Sequence, residues 1–148
     1  ARTGDEATLF RLAAQIERVR LQHGYAILLD GHSIRSRVAR FFAGRLPDLN
    51  LGTADGASCA PSVQQAAALV LAGATEFSSV VNGRFKGGYV TRHYGSPAHG
   101  VHTLQLEIAQ ACYMDEAPSY PWDAARAGAL TVVLERLVGA LLATRVGV

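Results

Sequence analysis

The stretch Tyr25-Ala-Ile-Leu-Leu-Asp30 constrains the fold more than any other part of this sequence. It is short and apolar at consecutive positions rather than at every second one, the pattern of a strand buried on both faces. Such a strand needs a sheet with helices on either side, which makes the chain α/β. A helical pattern precedes it. Leu9, Leu12, Ile16 and Val19 recur on one face, Thr3 and Glu6 have capping-box spacing, and Gly24 stands where a left-handed cap ends a helix. The strand ends in Asp30-Gly31-His32-Ser33, so polar chemistry sits at a strand's C-terminal end, the edge where open α/β sheets bind ligands.

The remaining elements follow from the same patterns. Gly44 to Pro61 is rich in turn residues and reads as ordered loop with room for a short strand. Ser62 to Ala72 reads as a helix entered through Pro61 and left at Gly73. Ser79-Val-Val-Asn82 reads as a buried strand, Gly83 to Gly88 as a loop, and Tyr89-Val-Thr-Arg-His93 as a returning strand. From His102 the chain alternates: His102, Leu104, Leu106 and Ile108 point one way, Thr103, Gln105 and Glu107 the other. Asp123 is the candidate N-cap of a closing helix with Leu130, Leu134, Leu137 and Leu141 on one side. The order helix–strand–helix–strand–strand–strand–helix predicts a mixed sheet flanked by helices. In it, the strands near Ile27, Val80, Val90 and Leu106 are neighbours.

Composition narrows the function classes. A length of 148 residues fits a single domain or a large part of one, and 49% hydrophobic residues can bury a core. A formal net charge of +2, with scattered arginines and Lys86 the only lysine, argues against nucleic acid as a partner. No apolar run is long enough to span a bilayer, so no membrane role is expected. Cys59 and Cys112 lie far apart and outside any CxxC pattern, which argues against a disulfide scaffold and a zinc knuckle. A cytoplasmic, reducing compartment is the expectation.

Four groups of residues carry chemistry. His32, with Asp30 two residues before it, can offer a neutral imidazole to a metal while Asp30 orients the ring; the alternative is a histidine that merely hydrogen-bonds in a loop. Glu107 is a carboxylate in a mostly apolar strand, costly to desolvate without partners or a task. It reads equally as a general base or as half of a structural salt bridge. His93, His99 and His102 fall close together, but their turn-rich spacing does not promise three convergent ligands. His93 and His102 are expected to be polar partners around a pocket, and His99 a loop residue. Asn82-Gly-Arg-Phe-Lys-Gly-Gly88 lacks the spacing of a P-loop. Its donors, with Arg92, suit a carboxylate-bearing ligand, although Arg84 and Lys86 taken singly read as a solvated turn.

Four segments, taken together, resemble one family. They are Asp30-Gly-His-Ser-Ile-Arg-Ser36, Leu46-Pro-Asp-Leu-Asn-Leu-Gly-Thr53 with Asp55-Gly-Ala-Ser-Cys59, Val81 through Gly95, and Val101-His-Thr-Leu-Gln-Leu-Glu-Ile-Ala-Gln110 with Tyr113-Met114. In this order they resemble the N-formylglutamate amidohydrolases, from about the first helix to Met114; the closing helix is similar in type only. The resemblance implies a zinc-carboxypeptidase-like (phosphorylase/hydrolase-like) fold with a catalytic zinc at the sheet's C-terminal edge. It implies His32 as a zinc ligand and Glu107 as the catalytic carboxylate. Arg92, with Asn82 and Arg84, would contact the substrate's carboxylates or the oxyanion. Gly31 stands where the family more often has cysteine.

By the same resemblance the family's domain is roughly twice this length. Its other zinc ligands, a histidine and an acidic residue, lie upstream of the residues here. A catalytic zinc needs three protein ligands and an open position. The expectation is therefore a partial domain, 1–148, forming the C-terminal portion of a longer one, or else a chain that has lost the chemistry; alone it should be a poor enzyme. The implied reaction is zinc-dependent hydrolysis of N-formyl-L-glutamate to glutamate and formate, as in histidine breakdown. The partner is thus a small N-formyl amino acid, with association into oligomers left open. The rivals are a related zinc deacylase or carboxypeptidase for another N-acyl amino acid, and a non-catalytic half-domain that binds a partner or small acid.

Overall fold

The structure, a computed structural model, describes residues 3–146, with the side chains of residues 3–6 outside that description. The capping box expected of Thr3 and Glu6 falls on those side chains. Helix α1 runs Thr3–His23 and stops at Gly24. There φ is +84°, and the Gly24 N–H donates to the Arg20 carbonyl at 2.8 Å, a glycine cap as the sequence predicts. Then come β1 (Ala26–Ile34), β2 (Leu49–Gly52), α2 (Pro61–Gly73), β3 (Ser79–Val81), α3 (Tyr89–Tyr94), β4 (Val101–Ala109) and α4 (Ala124–Ala143). Asp123 caps α4, its carboxylate accepting from the Arg126 N–H at 3.0 Å.

The four strands form one sheet in the order β1-β4-β2-β3. β1 and β4 are parallel, β4 and β2 antiparallel, β2 and β3 parallel, so the sheet is mixed as expected. Leu104 and Leu106 of β4, with Leu49 and Leu51 of β2, form the main core with Val63, Ala67 and Leu71 of α2 and Leu130, Val133, Leu137 and Leu141 of α4. On the other face Ala26 and Val101 form a smaller cluster with Ile16 of α1, and Leu12, Val19, Leu28 and Tyr94 pack against it. Helices therefore cover both faces, the arrangement that the two-sided apolar run demanded.

The segment Tyr89–His93 is not a strand. It is the short helix α3, and the strand near Val90 is therefore absent from the sheet; β3, with Val80, pairs with β2 and not with β1 or β4. Tyr, Val and Thr favour strands, but the local context overrides them. Gly87 adopts φ +110° and Gly88 is extended, which turns the chain into a helix whose Arg92 N–H reaches the Gly88 carbonyl. Tyr89 and His93, four residues apart, stack with ring centroids 4.8 Å apart, and the buried Thr91 faces the sheet, accepting from Thr103 Oγ1 at its carbonyl. Among the described residues no helix is long and apolar enough to cross a membrane.

Candidate active site

The face of the sheet opposite α2 and α4 changes character along its length. On β1 it presents Ala26 and Leu28, then Asp30 and His32; on β4 it presents Val101 and Thr103, then Gln105 and Glu107. α1 and α3 cover the first half, and the polar half begins where that cover ends. The polar half lies at the C-terminal ends of two adjacent parallel strands, the usual ligand edge.

The register sets His32 directly beside Glu107, and Asp30 beside Gln105. The same row extends to Asn50 on β2, opposite Glu107. His32 Nε2 lies 2.9 Å from Asp30 Oδ1, with half of the His32 side chain exposed. With its proton on Nε2 facing that carboxylate, the ring keeps the Nδ1 lone pair for an electrophile. Glu107 is 7% exposed. Burial pushes its carboxyl above the ordinary range; His32, whenever it carries a second proton, pulls the other way, and Asp30 adds to the rise. Asn50 donates through Nδ2 to the Pro47 carbonyl at 2.7 Å and to the Glu107 carbonyl at 3.1 Å, pinning the backbone under the carboxylate.

Arg84 and Arg92 share a cleft of about 470 Å³ with Lys86 and Gln105. Arg92 stands on α3, exposed, rather than on the buried strand predicted for it, and its guanidinium donates to the Gly87 carbonyl. Arg84 donates to the Phe41 carbonyl at 2.9 Å. Among the described residues, of these three cations only Lys86 meets a carboxylate, Asp55, at 3.0 Å. The arginines thus bond neutral carbonyls, and positive charge is left over in the cleft for an anionic ligand. The loop from Gly83 to Gly88 can lie so close to the sheet because β2 has Gly52 beneath it. A Cβ there would fall 2.5 Å from the Gly87 nitrogen.

Asn82 takes a different position. Its Oδ1 accepts from Thr53 N at 2.8 Å and Asp55 N at 3.4 Å, and its Nδ2 donates to Thr53 Oγ1 at 2.8 Å. It holds the turn after β2 and does not line the arginine cleft. The three neighbouring histidines do not converge. His93 stacks on Tyr89, His99 bonds Ser96 Oγ at 2.7 Å, and His102 is buried beneath the N-terminus of α2, where its Nδ1 accepts from Ala60 N at 3.1 Å. Among the described residues, no three His, Cys, Asp or Glu side chains gather to hold a metal ion. Both cysteines are free and buried, and burial pushes Cys59 to about 11 and Cys112 to about 12, which leaves neither a ready nucleophile.

Two residues of the site carry no role in the sequence reading. Gln105 was visible as sharing a face with Glu107. Asn50 lies within the segment Leu46–Thr53, but nothing in its local pattern says that it spans to the neighbouring strand.

Comparison with known proteins covers this same ground. The family model described as N-formylglutamate amidohydrolase matches residues 10–114, well over half of the chain. An N-formylglutamate deformylase of Pseudomonas putida is 50% identical over 132 residues, covering 89% of this chain and 49% of the relative. One from Pseudomonas aeruginosa is 49% identical over 132 residues, covering 89% and 50%. The crystal structure of N-formylglutamate amidohydrolase from Ralstonia eutropha JMP134 superposes with a TM-score of 0.76 at 23% identity, covering 91% of this chain and 51% of that one. The chain thus spans about half the length of each of these relatives. The match runs through the strand ends that carry His32 and Glu107 and through the loop that carries the arginines, and the chain belongs to the N-formylglutamate amidohydrolase family.

Proposed function

We propose that this chain forms one half of a hydrolase that releases formate and glutamate from N-formyl-L-glutamate, with Glu107 as general base and the Arg84–Arg92 cleft as the seat of the substrate's carboxylates. The observation that carries the reading is the pairing of His32 with Glu107 at the open ends of two parallel strands. Amide hydrolysis needs a base beside the attacking water, and a buried carboxyl with a raised pKa accepts and returns a proton better than an exposed one. Glu107 takes the proton from water and delivers it to the departing amine nitrogen. The arginines orient the substrate by bidentate contacts to carboxylate.

The fold is read as zinc-carboxypeptidase-like, with zinc as the implied cofactor and His32 as one of its ligands. The donor chemistry fits in part: His32 keeps a free Nδ1 while Asp30 holds Nε2. The described residues do not complete a set of three, so a catalytic zinc here would need ligands besides these. When bound, such an ion polarises the formyl carbonyl and lowers the pKa of water. Asn82, engaged with Thr53 and Asp55, serves the site by fixing the loop that leads to Arg84.

The test is formate release from N-formyl-L-glutamate by the full-length protein, beside a panel of N-acetyl and other N-acyl amino acids. Preference for another acyl group would move the assignment to a related deacylase; no turnover, with glutamate still bound, would favour a binding half-domain. In the active protein Arg92→Lys should raise KM about 5- to 50-fold, the loss of one bidentate contact, with kcat nearly unchanged. Unchanged KM would remove Arg92 from the site.

A further inference from the structure

Gln105 touches both parts of the site. It stands on β4 two residues before Glu107 and is 6% exposed. Its Oε1 accepts from the Gly88 N–H at 2.6 Å. A backbone N–H can only donate, so this bond fixes which end of the amide is oxygen. The other end, Nε2, therefore carries the hydrogens, and it faces Glu107 Oε2 at 3.5 Å. Gly88 is the cap residue of α3, the helix that carries Arg92, and Gln105 itself lines the cleft that Arg84 and Arg92 share. A Cβ on Gly88 would come within 3.1 Å of Gln105 Oε1, so the two groups are in close contact and not merely near.

We propose that Gln105 is a positioning residue that couples the anion cleft to Glu107. One amide group holds the start of α3 with its oxygen and aims the Glu107 carboxylate with its nitrogen. A donor at that place selects the rotamer in which Glu107 Oε2 turns toward Gln105. The 3.5 Å contact is long, as such contacts often are before a ligand is seated. Glutamine suits this task because its amide carries a donor and an acceptor on one rigid plane without titrating, and asparagine is a methylene too short to span from β4 to Gly88.

The inference rests on the deformylase reading for its kinetic arm alone. In the full-length protein, Gln105→Glu keeps an acceptor for Gly88 and replaces the neutral donor to Glu107 with a second carboxyl, whereas Gln105→Met keeps the volume and removes both. Gln105→Glu should lower kcat about 10- to 100-fold with KM within about twofold of the parent, while Gln105→Met should lower kcat and raise KM about fivefold or more. The second arm needs no turnover: hydrogen exchange at the Gly88 amide, with and without glutamate. The amide should be protected in the parent and in Gln105→Glu, and at least 10-fold less protected in Gln105→Met. A parent protein without activity on N-formylglutamate would sink the functional reading, and the exchange arm would then decide the coupling. Equal kcat and KM effects in the two variants, unprotected Gly88 in the parent, or failure of both variants to fold would each overturn the proposal.

Discussion

β1 and β4 have the same length, run parallel and pair residue for residue, yet they occupy opposite environments. Every residue of β4 is buried except Ile108, which is half-buried, whereas in β1 only Ala26 is buried and Gly31, His32 and Ser33 are exposed. β4 lies between two strands; β1 has a described partner on one side alone. Position in the sheet therefore divides the chemistry. The buried carboxylate stands on the central strand, and the exposed imidazole stands on the rim. A raised pKa at Glu107 and a half-exposed ring at His32 are two consequences of one strand order.

The largest effect should come from removing the proton acceptor on the buried strand. Glu107→Gln preserves size and hydrogen bonding, so in the active full-length protein kcat should fall by about 10²–10⁴ while the fold and any bound metal are retained. Metal content and kcat measured together separate the roles. Loss of metal would make Glu107 a ligand, and loss of folding would make it a structural partner.

Packing gives the next contrast. Leu104 on β4 is wholly buried in the main core, whereas Leu29 on β1 is half-buried against it. Leu104→Ala should cost about 2–5 kcal/mol, transfer plus cavity. Leu29→Ala should cost about half as much, since less surface leaves water. Urea denaturation reads both. Equal costs would mean that the rim strand is covered in solution as fully as the central one.

Much of this division was legible before the structure. The run from Ala26 to Leu29 announced helices on both faces, and the alternation from His102 to Ile108 put Glu107 with Gln105 and apart from the leucines. Those patterns are local, and periodicity reports them directly. The strand order is not local. Nothing within β1 says that it lies at the rim, and nothing within Leu49–Gly52 says that it separates β4 from β3. The segment Tyr89–His93 failed as a strand for a related reason. Its propensities belong to the residues, whereas its helix depends on the φ of Gly87 and on what packs against Thr91. Asn50 was hidden because its partner, the Glu107 carbonyl, is 57 residues away.

β4 also buries a group that titrates. His102 is 1% exposed, with Nδ1 accepting from Ala60 N and Nε2 without a partner among the described residues. Burial lowers its pKa below 6.5. The neutral ring is therefore favoured in the folded state, and the unfolded chain binds the proton first as pH falls. Stability from this group is present above about pH 6.5 and is lost as pH drops through the lower folded value. The denaturation midpoint should fall between about pH 7.5 and 5, and His102→Gln, whose side-chain oxygen can accept from Ala60, should flatten that slope. An unchanged slope in the variant would place the dependence elsewhere.

The smallest expected effect is at Gly31, on the exposed end of β1 between Asp30 and His32. A Cβ added there meets nothing within 4 Å. Its φ lies outside the left-handed region, so alanine is not strained. Glycine in a strand costs backbone entropy that alanine does not, so Gly31→Ala should change stability by at most about 0.5–1 kcal/mol, in the stabilising direction. The contrast is Gly52 on β2, where the same atom would strike the backbone of Lys86 and Gly87 at 2.5–2.6 Å and lift the arginine loop. A residue can be glycine because nothing else fits or because nothing presses on it. Thermal melts of Gly31→Ala and Gly52→Ala distinguish the two conditions. A destabilisation above about 1 kcal/mol at Gly31 would mean that a further part of the protein packs onto the rim strand beside His32.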